Sequence, residues 1–215
     1  MKDMFIWLND PLNWTNPGGI LDRLWQHIYL TVGAVLLACL IAWPLGLWLG
    51  QGSAKRGQII VVASNITLAL PTLALLTVLP LTFIGFGPLA VIIALAVFAI
   101  PPLLATAYTG MRSVDPEVRD AAQGLGLSKF QRGVRVELPL AVPSLFAGFR
   151  TAVVQVIATA TLAALVDGGG LGVIINEGLG LQNFGQVMAG AFLVTSLCLL
   201  VEALLAFGQR RLARA

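Results

Sequence analysis

From Gly57 to Met111 the chain carries no charged residue. Charged side chains crowd the surface of soluble domains and avoid the interior, so a run this long without one needs an apolar solvent. A bilayer span takes about 20 predominantly apolar residues, and this stretch is long enough for two spans back to back. Composition points the same way. Of the 215 residues 58% are hydrophobic, and the mean hydropathy is +0.89; soluble domains sit near 45–50% apolar.

Five such runs are expected as transmembrane segments, at 28–50, 59–82, 89–110, 142–166 and 186–207. In lipid every backbone polar group must be paired internally, which leaves helices or a closed barrel. Runs this long without period-two alternation are helices. Gly85-Phe86-Gly87-Pro88 is a tight turn between the second and third. The expected fold is therefore an all-α polytopic membrane protein of about five transmembrane helices in one domain, 1–215. Pro44, Pro71, Pro80, Pro101 and Pro102 interrupt the first three spans. A helix proline frees a carbonyl and bends the axis, serving either packing geometry or bent helices around a cavity.

Lys and Arg counts in short loops set the orientation. Lys55 and Arg56 follow the first span, Arg112, Arg119, Lys129, Arg132 and Arg135 lie between the third and fourth, and Arg210, Arg211 and Arg214 form the tail. These three regions share one side, expected to be cytoplasmic. The opposite loops, Phe83 to Pro88 and Asp167 to Gly185, hold no Lys or Arg; Lys2 and Arg23 are outvoted. The N-terminus is thus expected outside and the C-terminus inside. Residues 1–27 are expected as an external, interfacial segment anchored by Trp7 and Trp14. Its Asn9, Asp10, Pro11 and Asn13 do not resemble a cleavable leader. The net charge of +3 and pI near 9.2 are explained by topology, so nucleic acid is excluded as a partner. Cys39 and Cys198 lie inside apolar runs as packing residues.

Charge is concentrated instead in 112–139. Between Asp115 and Pro139, 8 of 25 residues are charged, in a chain that is 11% charged overall. Asp115-Pro116-Glu117 reads as a helix start, with Asp as N-cap, Pro at the first position and an acid in the first turn. Val118, Ala121, Ala122 and Leu125 then form one narrow apolar stripe. Gly126 suits a left-handed cap. Ser128 with Gln131 three residues on reads as a capping box opening a second helix, which Pro139 is expected to stop. Such a pair either lies on the membrane surface or docks a protein.

Here the sequence resembles a known family. ABC-importer permeases share a loop motif running Glu-Ala-Ala, three residues, Gly, nine residues, Ile, one residue, Leu-Pro. This chain has Asp120-Ala121-Ala122, Gly126, Val136 and Leu138-Pro139 at that spacing, with Asp for Glu and Val for Ile. The resemblance extends over nearly the whole chain. The stretch from VDPEVRDAAQ to FAGFRTA and the later ATATLAALVDGGGLG look most like the osmoprotectant permeases, which handle glycine betaine, choline, carnitine or proline betaine.

The resemblance implies a type I importer permease fold in the bacterial plasma membrane and transport by alternating access. It makes 112–139 the ATPase-coupling loop, with Asp115, Glu117, Val118, Asp120, Ala121, Ala122, Leu125, Gly126, Leu127, Val136, Leu138 and Pro139. The implied partners are a cytoplasmic ATPase dimer, an extracytoplasmic solute-binding protein, membrane lipid and a second permease subunit, a paralogue or an identical copy. ATP and Mg would be bound by the ATPase, and no cofactor by this chain. The sequence contains no G-x-x-x-x-G-K-[ST] phosphate loop, and it shows no catalytic or metal-ligating constellation, so an intramembrane enzyme is not expected. Two alternatives are a permease for methionine or another amino acid, and an ATP-independent channel.

Ionisable residues inside spans cost roughly 2.5–3.5 kcal/mol each on insertion scales. Arg150 and Glu202 both fall about 10 Å from the cytoplasmic end at about 1.5 Å per residue, and an intramembrane ion pair is expected between them. Asp167, Gly168, Gly169, Gly170 and Glu177 are candidates for an external gate whose two acids would attract a quaternary amine. Otherwise these acids are simply solvated. Asn65 and Thr67 are candidates for a translocation path, although Thr commonly bonds its own helix backbone. His27 is expected to serve packing.

Overall fold

The apolar runs fold as helices packed on one another through small residues. A computed structural model describes residues 1–212; Arg214, counted above with the basic tail, lies outside the described residues. The order is α1 (Lys2–Leu8), α2 (Leu12–Thr15), α3 (Ile20–Gly50), α4 (Ala54–Asn65), α5 (Thr72–Val78), α6 (Pro88–Arg112), α7 (Pro116–Gly124), α8 (Lys129–Arg132), α9 (Leu138–Thr159), α10 (Gly172–Gly180) and α11 (Phe184–Leu212). The described residues contain no strand.

The helix α3 carries exposed Trp25 and Trp48, at 70% and 69%. At about 1.5 Å per residue they are about 34 Å apart, bracketing a hydrocarbon layer of about 30 Å as interfacial aromatics do. The helix starts at Ile20, inside the segment expected to lie outside the spans. Trp7 and Trp14, expected as interfacial anchors, are half-buried. They pack against Ile20, Leu171 and Ile174, and Trp14 Nε1 donates to the Leu8 carbonyl at 2.7 Å. The Trp14 indole N–H thus has a partner inside the protein, and both rings rest on an apolar protein surface.

The span expected at 59–82 is not one rod. The chain is helical from Ala54 to Ala69, then bends by 80° into Thr72–Leu81. Leu70 at the break has ψ 131°, because the ring of Pro71 disfavours helical backbone in the residue before it. The expectation that Pro139 stops the second loop helix is also corrected. From Lys129 the chain stays helical through a π-helical turn, Gly133–Glu137, directly into α9. A π turn is a local widening of the helix, and it relieves the clash of a proline ring with the carbonyl one turn back. The second half of the loop, from Lys129, and the fourth span are therefore one continuous piece.

Lipid tails are as apolar as leucine, so helices in a bilayer associate by close packing rather than by hydrophobic burial. The contacts here show that logic. A Cβ built on Gly46 would stand 2.5 Å from Ala107 Cβ, and one on Gly50 would stand 2.3 Å from Met111 Cβ, which sets α3 against α6. On the other side of α6, Ser144 Oγ of α9 donates to the Thr106 carbonyl at 3.0 Å, and Gly148 and Gly110 make room for Thr106 and Ser144. Three helices thus form a core onto which α11 packs against α9 and α10. Gln51, Ala54 and Arg112 meet at one end of this core, while His27 and the glycine run meet at the other.

Candidate functional site

The charged loop sits at the end of the bundle where α3, α6 and α9 finish or begin. Its local order comes from caps. Asp115 Oδ1 accepts the Glu117 N–H at 2.8 Å, closing the start of α7. At the far end Gly126 takes a left-handed φ of 79°. Its N–H donates to the Gln123 carbonyl at 2.9 Å, and the Leu127 N–H to Ala122 at 3.2 Å. That pair of bonds is a Schellman cap, and its left-handed position favours a residue without Cβ. Ser128 and Gln131 then bond each other's backbone, at 3.2 Å and 2.9 Å, and fix the start of α8.

The apolar stripe expected along α7 is split by the packing. Ala122 is 5% exposed, whereas Val118 and Leu125 are 39% and 83% exposed, and Ala121 is exposed with them. Ala122 lies on the side of α7 turned to the rest of the protein; the other three are free to meet a partner, alongside exposed Phe130 and Val134. Glu117, Asp120 and Pro139 are exposed, and Leu127, Val136 and Leu138 are half-buried. Leu138 and Val134 belong with Trp48, Met111 and Phe130 to an apolar cleft of about 270 Å³ under the loop.

The residue that organises this end was not among the sequence candidates. Glu137 is completely buried. Its Oε1 lies 3.0 Å from Arg132 Nε and 3.3 Å from Arg119 Nε, and its Oε2 accepts from Gln51 Nε2 at 2.9 Å. Arg119 also donates to the Met111 carbonyl at the end of α6. A buried carboxylate is tolerated only when paired and hydrogen-bonded, and removing one partner of such a pair typically costs about 3–5 kcal/mol. The one trace of it in the sequence is a lone acid before Leu138-Pro139, in a stretch otherwise carrying Lys129, Arg132 and Arg135, and that pattern does not separate a buried carboxylate from a solvated one.

Arg150 and Glu202 meet. Arg150 Nε donates to Glu202 Oε1 at 2.8 Å, a second guanidinium nitrogen reaches the same oxygen, and Nη1 donates to Gln209 Oε1 at 2.9 Å. The pair ties α9 to α11, a helix otherwise little buried within this chain. Substituting Arg150→Ala or Glu202→Ala is expected to lower the melting temperature of the purified protein, and the double variant to lose clearly less than the two losses added together. Additive losses would show that the two side chains are not coupled.

At the opposite end the glycine run is held by α3. The Gly170 N–H donates to Gln26 Oε1 at 3.1 Å. His27, fully buried, accepts the Leu171 N–H on Nδ1 at 3.3 Å and donates from Nε2 to the Ile157 carbonyl at 3.0 Å. Asp167 is left-handed at φ 57°. Glu177 is not in the loop, as its spacing suggested, but in α10, and it stands 3.7 Å from Arg23. Asp167 and Glu177 share a cavity of about 410 Å³ with Arg23, Gln26 and Tyr29. Arg23 offsets one of the two acids there. Asn65 is exposed near the bend, whereas Thr67 Oγ1 bonds back to the Ser64 carbonyl at 2.8 Å. Among the described residues no group of His, Cys, Asp and Glu is placed to hold a metal ion.

Comparison with known proteins adds independent observations. Residues 42–214 match the family described as binding-protein-dependent transport system inner membrane component. The chain is 37% identical over 201 residues to the choline transport system permease protein OpuBB of Bacillus subtilis, covering 94% of this chain and 92% of that protein. It is 34% identical over 197 residues to the glycine betaine/carnitine/choline transport system permease protein OpuCB of the same organism, covering 92% and 90%. Among solved structures, an inward-facing MetNI methionine ABC transporter superposes with a TM-score of 0.83 at 20% identity, over 95% of this chain and 99% of that one. At that identity the likeness speaks for the fold.

Proposed function

The chain belongs to the family of binding-protein-dependent transport system inner membrane components, a multi-pass protein of the bacterial plasma membrane with the type I importer permease fold, and on that premise we propose that it carries a compatible solute of the betaine or choline class inward. The observation that supports this substrate class is the identity of 37% and 34% to permeases named for choline and for glycine betaine, carnitine and choline, each over more than 90% of this chain.

In the proposed mechanism the loop 112–139 faces the cytoplasm, as the distribution of Lys and Arg asks. The exposed Val118, Ala121 and Leu125 of α7 sit against a cytoplasmic ATPase dimer that binds ATP and Mg. An extracytoplasmic binding protein delivers solute to a path shared with a second permease subunit. The run from Lys129 into α9 has no break, so a displacement of α8 by the closing ATPases would reach a span directly. The exposed Asn65 and the bend beside it are proposed to face the path. The glycine run, with Asp167 and Glu177, is proposed as its outer gate.

The reading is tested by reconstituting the permease with its ATPase and binding protein in liposomes. Choline or glycine betaine is expected to stimulate ATP hydrolysis and to accumulate inside. Stimulation by methionine alone would favour the amino-acid alternative, and solute flux without ATP would favour a channel.

A further inference from the structure

We propose that Glu137 is a positioning residue: its carboxylate clamps the charged loop to the ends of two spans, so that movement of α7 is delivered to α3 and α9 together. The proposal rests on the importer reading above and names the joint through which its coupling would run.

Three contacts of one carboxylate carry the inference. An ionised carboxylate offers about four lone-pair sites and no donor. Here Oε1 faces Arg119 at 3.3 Å and Arg132 at 3.0 Å, while Oε2 takes Gln51 at 2.9 Å. Each partner belongs to a different segment. Arg119 lies on α7, Arg132 ends α8, and Gln51 caps the end of α3. Glu137 itself closes the π-helical turn that leads into α9. Arg119 adds the end of α6 through the Met111 carbonyl. The close approach is built in, since a Cβ on Gly133 would stand 1.8 Å from Gln51 Nε2.

Chemistry makes this arrangement a joint rather than filler. The Glu137 side chain is 1% exposed, against 20% and 17% for the two arginines. Water therefore reaches the cations but not the anion, and the anion's partners must come from the protein. Removing its charge leaves two guanidiniums facing each other across a site with no counter-ion. The bonds from Arg132 and Gln51 are charge-assisted and directional; Arg119 adds an ion pair at 3.3 Å without hydrogen-bond geometry, so a shift of α7 pulls on the same carboxylate that holds Gln51 and the start of α9. A loop held only by its exposed apolar face would lack that constraint.

The test uses the permease complex with its ATPase in lipid nanodiscs and in proteoliposomes. Spin labels are placed at Asp120→Cys and Ser53→Cys, on a background with Cys39→Ala and Cys198→Ala, and the label separation is read by pulsed EPR. The parent is expected to give a narrow distance distribution. Glu137→Gln should broaden it and raise the ATP consumed per solute imported by roughly tenfold, while Glu137→Asp, which keeps the charge, restores much of both. An unchanged distribution in Glu137→Gln overturns the clamp. So does a fall in hydrolysis and transport at an unchanged ratio, because that is mere structural loss. Should Glu137→Gln fail to assemble, Gln51→Ala cuts only the arm to α3 and is expected to broaden the same distribution; no broadening there rejects the proposal. If the parent shows no solute-stimulated hydrolysis, the importer reading falls, and the label distances still decide whether Glu137 holds the loop to α3.

Discussion

Replacing Leu125 with Asp is expected to release the ATPase from the purified complex while the spans melt where the parent's do. Leu125 is 83% exposed at the end of α7, next to the Schellman cap, so the folded chain loses little by the change. In a docked complex the same side chain would be covered. Fully burying a leucine contributes about 1.5–3 kcal/mol, and each 1.4 kcal/mol is about tenfold in affinity. A charge in its place should weaken docking by roughly ten- to a hundredfold, more if the carboxylate is left unpaired. Co-purification after a salt wash and the melting temperature are the measurements. A variant that keeps its ATPase at the parent's level would show that α7 docks through another face. Two neighbours separate docking from loop folding. Ala122 is 5% exposed, so Ala122→Trp must displace the loop's own packing and should damage both. Gly126 has open space around it but a φ of 79°. Gly126→Val therefore costs about 1–2 kcal/mol of backbone strain and tilts α7, leaving hydrolysis running with little transport.

How much of this was legible beforehand depended on the range of the interaction. The ends of α7 and α8 are local: Asp115, Gly126, Ser128 and Gln131 bond to groups two to four residues away, and such signals stand in the sequence. The membrane class is a bulk property of the charge-free runs. The Arg150–Glu202 contact joins residues distant in the chain, and it was foreseeable because charge in lipid has few ways to be satisfied. Glu137 was not foreseeable in the same way. An acid among cations in a polar loop has water as an alternative partner, and only the approach of Gln51 and Arg119, far off in sequence, closes the water out. The bend at Pro71 was signalled by the proline, yet its 80° size is not set by the residue alone. Proline forbids straight continuation, and packing selects among the remaining directions. The split of the α7 stripe has the same origin, since periodicity gives a face and tertiary contact decides which of its members is covered.

The contact between α3 and α6 gives the second large effect. Gly46→Leu is expected to abolish recovery of a monodisperse, folded permease. A Cβ on Gly46 would already stand 2.5 Å from Ala107 Cβ and 3.1 Å from the Leu104 carbonyl. Neither neighbour can swing aside, for one is attached directly to the backbone and the other is part of it. The helices must separate, and overpacking of this kind costs about 1–3 kcal/mol or more. Nothing offsets it, because separated faces in lipid recover only lipid contacts. A smaller change isolates the cause. Gly46→Ala alone should lower the melting temperature, and adding Ala107→Gly should recover more than half of the loss, since the swap moves one methyl across the interface at constant volume. The approaches to the Leu104 carbonyl at 3.1 Å and to the Tyr108 backbone nitrogen at 3.3 Å remain, and a shift of a few tenths of an ångström relieves both. If the swap recovers nothing, the α3–α6 approach is not what fixes Gly46. Recovery would mean that the separation of these two helices is set by atoms at Gly46 and Ala107, on the same faces that at Gly50 and Met111 lead to Gln51 and the charged loop. The rigidity of the core and the position of the loop would then share one cause, the close approach of α3 to α6.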